Sequence, residues 1–126
     1  MRLRRVLLLT DRPTDEVIPT LSALGADIKT ETPTADALAR LPDIAPDLML
    51  VDAVADGARA AELLQVLAAA GSATPVVAVL TRDVLDRFPW EELADEVVFP
   101  EVSEAELRLR VAMLHRRRGE AGEGVL

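Results

Sequence analysis

Short runs of branched apolar residues punctuate the chain at 6–10 (VLLLT), Leu48–Asp52 (LMLVD) and 76–80 (VVAVL). Runs this short that are apolar throughout, rather than alternating, are expected of parallel strands covered on both faces. Asp27–Glu31 (DIKTE) alternates and predicts an edge strand, and 96–99 (EVVF) predicts a fifth strand. Between them lie helical stretches at 17–24, 35–41, 58–70, 84–94 and 104–118. Pro19 is tolerated in the first of these only near its first turn, so that helix should begin close to Glu16 and end before Gly25. The last opens with Ser103-x-x-Glu106, the spacing of a capping box in which each side chain can satisfy the other's backbone donor.

Five alternating strand and helix units predict an α/β fold: a doubly wound, five-stranded parallel sheet of the flavodoxin-like kind, with strand order 2-1-3-4-5 from short right-handed crossovers. Ligands of such sheets sit at the carboxyl ends of the strands, beside the point where the order reverses. Thr10, Asp11, Asp52, Leu80, Thr81 and Pro100 are expected to gather there.

Composition narrows the class. The 126 residues are half hydrophobic, carry a formal charge of −8, contain no cysteine and are only 2% aromatic, which fits one intracellular globular domain over 1–118. The glycine- and charge-rich end, 119–126, reads as the start of a linker. Disulfides and thiolate metal sites are excluded. No apolar run reaches membrane-span length, and Leu7 to Leu9 is too brief for a signal peptide, so a cytoplasmic location is expected. The acidic balance disfavours nucleic-acid binding by this domain itself. His115 stands alone as an imidazole, a poor metal set, and Trp90 beside Pro89 reads as an anchor for the fourth helix or its loop.

The stretches PDLMLVD, TPVVAVLT and ADEVVFPEVSEAELRLRVAMLHRR resemble the third, fourth and fifth strands and the last helix of response-regulator receiver domains of the OmpR and PhoB class. The resemblance covers nearly the whole chain and makes Asp52 the counterpart of the phospho-acceptor. Receivers that are phosphorylated hold Mg²⁺ between that aspartate and an acidic pair after the first strand, because a hard octahedral cation takes several oxygen ligands. Here Thr10 and Asp11 stand in the place of the pair, so one acid is lost. The hydroxyl expected at the end of the fourth strand falls on Leu80, with Thr81 one position late, and the lysine expected after the fifth strand falls on Pro100. Phosphoryl transfer rests on positioning and charge neutralisation, and one lost electrostatic donor typically costs about 3 to 4 kcal/mol in barrier. The expectation is therefore no enzymatic chemistry, no metal and no cofactor, with Asp52 neutralised by the protein: Thr10 can donate from the adjacent strand, and Arg12 or Arg82 can supply the charge.

Within this class the chain is similar to GlnR-type orphan regulators of nitrogen metabolism, which share the threonine after the first strand, the early proline in the first helix and the proline in place of lysine. The likeness implies a transcription regulator whose receiver pairs without phosphate and whose separate domain binds DNA. A conventional phospho-acceptor using Asp52 and a small-metabolite module in the emptied pocket are the alternatives.

A pairing face is legible on the last helix. Leu107, Val111 and Leu114 can face the sheet, leaving Ala105, Leu109, Ala112 and Met113 as a second apolar stripe. Asp95, Glu96, Glu106 and Arg110 surround it. The resemblance implies a homodimer through the fourth helix, fifth strand and fifth helix, in which Glu96 of one chain meets Arg110 of the other and Arg87 is a partner for Glu106. Exposed pairs of this kind contribute at most about 1 kcal/mol each, so the apolar stripe should supply affinity and the charges register.

Overall fold

Alternate residues of a strand point to opposite faces, and each apolar run here feeds two separate cores. The computed structural model describes residues 3–123, with side chains through residue 118. Strands β1 (Arg5–Leu9), β2 (Asp27–Glu31), β3 (Leu48–Asp52), β4 (Val76–Val79) and β5 (Glu96–Val98) form one parallel sheet in the order β2-β1-β3-β4-β5. Helices α1 (Thr14–Val17), α2 (Ala35–Ala39), α3 (Leu41–Ile44), α4 (Gly57–Ala69), α5 (Trp90–Leu93) and α6 (Glu104–Glu123) connect and cover it. Leu7, Leu9, Met49, Val51 and Ala78 pack with Leu64, Leu67 and Trp90 on one face. Val6, Leu8, Leu48, Leu50 and Val77 pack with Ile18, Leu107, Val111 and Leu114 on the other. β3 lies in the middle and is buried at all five positions, whereas β2 is an edge with a mixed, largely exposed pattern. At about 1.5–3 kcal/mol for each large side chain removed from water, these two cores supply the driving force of the fold.

The strand order and the edge strand are as the apolar pattern predicts. Strand limits shift by one residue: Thr10 and Leu80 fall just beyond β1 and β4, although their N–H groups continue the ladder to Glu31 (2.9 Å) and Val98 (3.1 Å).

Three helices depart from expectation, each at a proline. The first is α1 followed by a separate 3-10 turn, Leu21–Leu24, because Ile18 before Pro19 is forced out of helical space to φ −150°, ψ 97°. Gly25, at φ 65°, closes that turn in the left-handed conformation. The second is split at Arg40, and Pro42 sits in the first turn of α3, where its missing N–H costs nothing. The fourth shrinks to a 3-10 turn at Arg82–Val84 and the single turn of α5, which starts after Pro89.

Trp90 holds this abbreviated element down, as its position beside Pro89 suggested. It is buried, its Nε1 donates to the Val84 carbonyl at 2.9 Å, and the Phe88 ring meets it edge-on with centroids 5.4 Å apart. The last helix begins as expected, with Glu106 N–H donating to Ser103 Oγ at 3.1 Å, but the Glu106 carboxylate completes an ion pair with Arg110 rather than the reciprocal half of the box. It runs on to Glu123, through the first residues of the expected linker; 124–126 lie outside the described residues. Trp90→Phe keeps most of the buried area but removes one of the two hydrogen bonds the Val84 carbonyl accepts, leaving the one from the Arg87 N–H at 3.2 Å, so urea denaturation should show a loss of about 0.5–1.5 kcal/mol.

Candidate functional site

The parallel register that pairs Leu9 with Val51 carries Thr10 and Asp52 side by side at the carboxyl end of the sheet. Asp52 is 7% exposed, and its carboxylate accepts four hydrogen bonds. Thr10 Oγ1 donates to Oδ2 at 2.8 Å. Arg12 reaches back from the loop after β1 with both arms of its guanidinium, Nε to Oδ2 and Nη2 to Oδ1, each at 2.9 Å. The Val54 N–H donates to Oδ1 at 3.0 Å. Thr10 is itself fixed, since its hydroxyl oxygen accepts the Arg12 N–H at 3.0 Å.

Burial by itself opposes the charge on Asp52, but the hydrogen bonds from Arg12, Thr10 and Val54 outweigh it and hold the carboxyl below the usual carboxylate range. The hydrogen bond to Asp52 likewise raises the Arg12 pKa. A two-armed contact between a planar guanidinium and a carboxylate is the geometry in which an ion pair is strongest.

The other acid is also occupied. Asp11 turns outward to Arg59 Nη1 at 3.2 Å, and the first turn of α4 places that arginine, with Asp56 capping it by accepting the Arg59 N–H at 3.0 Å. A magnesium ion, which the receiver fold employs in its phosphorylated members, does not fit these donors. Thr10 stands where one acid is expected, the second acid, Asp11, pairs with Arg59, and the third, Asp52, has its oxygens facing Arg12, Thr10 and Val54. Among the described residues there is no group of three or more His, Cys, Asp or Glu able to hold a metal. The cavity beside Asp52 is about 30 Å³, room for a water but not for a metabolite.

Of the residues expected at this end of the sheet, Thr10, Asp11, Arg12 and Asp52 come together, while four do not join them. Leu80 is fully buried in the apolar core. Thr81 gives its hydroxyl to Asp83 in its own turn. Arg82 pairs with Glu101 and lies over the Phe99 ring, 4.1 Å from its centroid, which leaves the charge on Asp52 to Arg12 alone. Pro100 lies one place past Phe99, in the turn after β5. Arg59 and the Val54 N–H escape sequence reading; Asp56 three residues before Arg59 is a cap signal, but the pairing with Asp11 spans 48 residues and needs the topology.

On α6, Leu107, Val111 and Leu114 face the sheet, while Leu109 (60% exposed) and Met113 (49%) form the expected outer stripe with half-buried Ala112. The charges around the stripe have partners within the chain. Arg110 bonds Glu106 at 2.8 Å and Glu96 at 3.5 Å, Arg117 bonds Glu96 at 3.3 Å, and Arg118 bonds Asp95 at 3.4 Å. Asp95 Oδ2 also accepts the Val76 N–H at 2.8 Å, so it stitches the start of β4 to the start of β5. Within the chain Arg87 acts on Asp83, whose carboxyl the Thr81 hydroxyl holds low in the first place.

An open parallel sheet in the order 2-1-3-4-5 with an aspartate at the tip of its third strand is the architecture of a response-regulator receiver domain. Among solved structures, the receiver domain of the TMAO respiratory response regulator TorR is 21% identical, covering 90% of this chain and 98% of that one at a TM-score of 0.69. NtrX from Brucella abortus, determined with ADP, is 21% identical at a TM-score of 0.78 and covers 99% of this chain, which spans 30% of NtrX. The receiver domain of a LuxO-type repressor from Vibrio parahaemolyticus is 16% identical at 0.71, covering 97% and 96%. At these identities the likeness is one of fold. No curated protein matches the sequence. The chain does match the family described as the N-terminal domain of the transcription regulator GlnR over residues 4–115, and it belongs to that family. It is thus a receiver domain of a transcription regulator.

The sign of the Asp52 shift fixes a pH dependence. A carboxyl with a lowered folded pKa contributes stability above its unfolded value, about 3.9, and loses it as pH falls through the folded value. Asp52→Asn should therefore cost about 2–3 kcal/mol near neutral pH, because it leaves Arg12 without its counter-charge. The difference from the parent, followed by urea denaturation, should shrink steadily below about pH 4.

Proposed function

We propose that this receiver operates without phosphorylation, as a homodimerisation module that positions a separate DNA-binding domain in an intracellular regulator of nitrogen metabolism, and that it has no catalytic role of its own. The observation that carries this reading is the two-armed Arg12–Asp52 contact, which covers the carboxylate that a phosphodonor would have to reach. The positive charge that a metal ion would bring is built into the chain, so the receiver holds one state. The family match supports the regulatory setting, and DNA contact is assigned to a separate domain of the regulator.

The pairing surface is the exposed stripe of α6 with the neighbouring edge of β5 and the abbreviated α5. Because Arg110 and Glu96 already pair within one chain, exchanging that contact for the same one across a two-fold axis changes little in free energy. The apolar term then decides: burying Leu109 and Met113 contributes about 1.5–3 kcal/mol for each side chain, twice over by symmetry. No observation favours the metabolite reading at Asp52, where the cavity is too small.

Incubation with a small phosphodonor and Mg²⁺ should leave both the mass and the sedimentation of the chain unchanged; a phosphorylated Asp52 would overturn the reading. Leu109→Ser should shift the chain to monomer in sedimentation with little change in melting. Arg110→Glu should do the same, since it sets a third acid beside Glu96 and Glu106. A dimer that survives both substitutions places the interface elsewhere.

A further inference from the structure

A second cavity, of about 210 Å³, lies at the opposite end of the sheet from Asp52, between the carboxyl-terminal half of α4, the start of β4, α5 and the end of α6. Val76 lines it, whereas Asp52 pairs in register with Val79, three residues or about 10 Å along the same strand. It is therefore separate from the candidate site, and it is smaller than a drug-sized pocket.

Its lining sorts into two kinds of polar group. Arg118 contributes a guanidinium: its Nε is buried and has no hydrogen-bond partner among the described residues, while its Nη2 holds Asp95 at 3.4 Å. Ser72 and Thr74 add hydroxyls. The Ser72 oxygen accepts the Thr74 N–H at 3.3 Å, which leaves its own proton to give, and the Thr74 hydroxyl makes no hydrogen bond among the described residues. Against these donors stand Glu91 and Glu92, neither of which has an ion-pair partner among the described residues. Asp95, by contrast, is fully engaged by Val76 and Arg118. The floor is aliphatic, from Leu64, Leu67 and Leu93.

We propose that this cavity binds a small zwitterion, an amino acid in its free form. The carboxylate goes to the guanidinium of Arg118 and the hydroxyls of Ser72 and Thr74, the ammonium to Glu91 and Glu92, and a short side chain lies against the leucines. Either charge alone leaves half of the lining without a counterpart. Because Arg118 belongs to α6, occupancy fastens the end of that helix to α5 and the start of β4. The site is independent of the state of Asp52.

The test is melting of the 126-residue chain with each of the twenty protein L-amino acids at millimolar concentration, followed by calorimetric titration of any that stabilises. At least one should raise the melting midpoint and bind, while its N-acetyl and carboxamide derivatives bind at least tenfold more weakly. Arg118→Gln, and the double substitution Glu91→Gln with Glu92→Gln, should each weaken binding at least tenfold. Glu62→Gln, on the exposed side of α4, should leave it unchanged. If Arg118→Gln lowers the melting of the free chain, calorimetry below that midpoint still decides. The proposal is overturned if no amino acid stabilises the chain, if either blocked derivative binds as well as the parent, or if the cavity variants bind as the parent chain does.

Discussion

A carboxylate at the tip of a fully buried strand has to be compensated, and in this chain Arg12 does so. An isolated charge in such surroundings would cost several kcal/mol, and the ordinary escape, protonation, is closed off because four hydrogen bonds favour the ionised form. The rest of the site is arranged around that contact. Thr10 is oriented by the Arg12 backbone, so the residue that replaces an acid also braces the arginine that replaces a cation. Asp11, with no metal to share, turns to Arg59 on α4. Asp52 and Asp11 each have their own guanidinium, and the cavity beside them is the size of a water.

The same economy marks the α6 side. Asp95 and Glu96 pair with arginines of α6, and Asp95 also with the backbone of β4, which ties the later turns of α6 to the sheet, while Glu106 pairs with Arg110 along the helix. What is left uncovered is apolar: Leu109 and Met113 stand outside both cores although the helix carrying them is anchored by Leu107, Val111 and Leu114. A rigid helix with one apolar face inward and another outward fits a scaffold for self-association, and it fits poorly with a surface that must be remade by a switch.

Much of this was legible before any coordinates. Continuous apolar runs identified β1, β3 and β4 and the alternation of Asp27–Glu31 identified the edge, because burial on two faces or on one leaves different periodicities. Asp52 and Thr10 follow from strand register, and Arg12 is one of two arginines on loops that the strand order brings next to Asp52. Choosing between Arg12 and Arg82 was beyond sequence, since Arg82 is drawn off by Phe99 and Glu101, contacts that exist only once β4 and β5 are aligned. The helix breaks escape the apolar pattern for a local reason. Apolar spacing persists across Pro19, Pro42 and Pro89, while the backbone obeys the proline and the residue before it. The pairing of Asp11 with Arg59, 48 residues apart, leaves no signal of this kind, because it depends on where the first turn of α4 lies rather than on strand register.

The central claim is that protein groups, not an ion, neutralise Asp52. Selective ¹³C labelling of aspartate side chains allows the Asp52 carboxyl to be titrated directly by NMR, with and without millimolar Mg²⁺. The account predicts a midpoint below the ordinary aspartate range and a resonance that magnesium does not move. A magnesium-dependent displacement of that resonance, or a midpoint at the ordinary value, would contradict it.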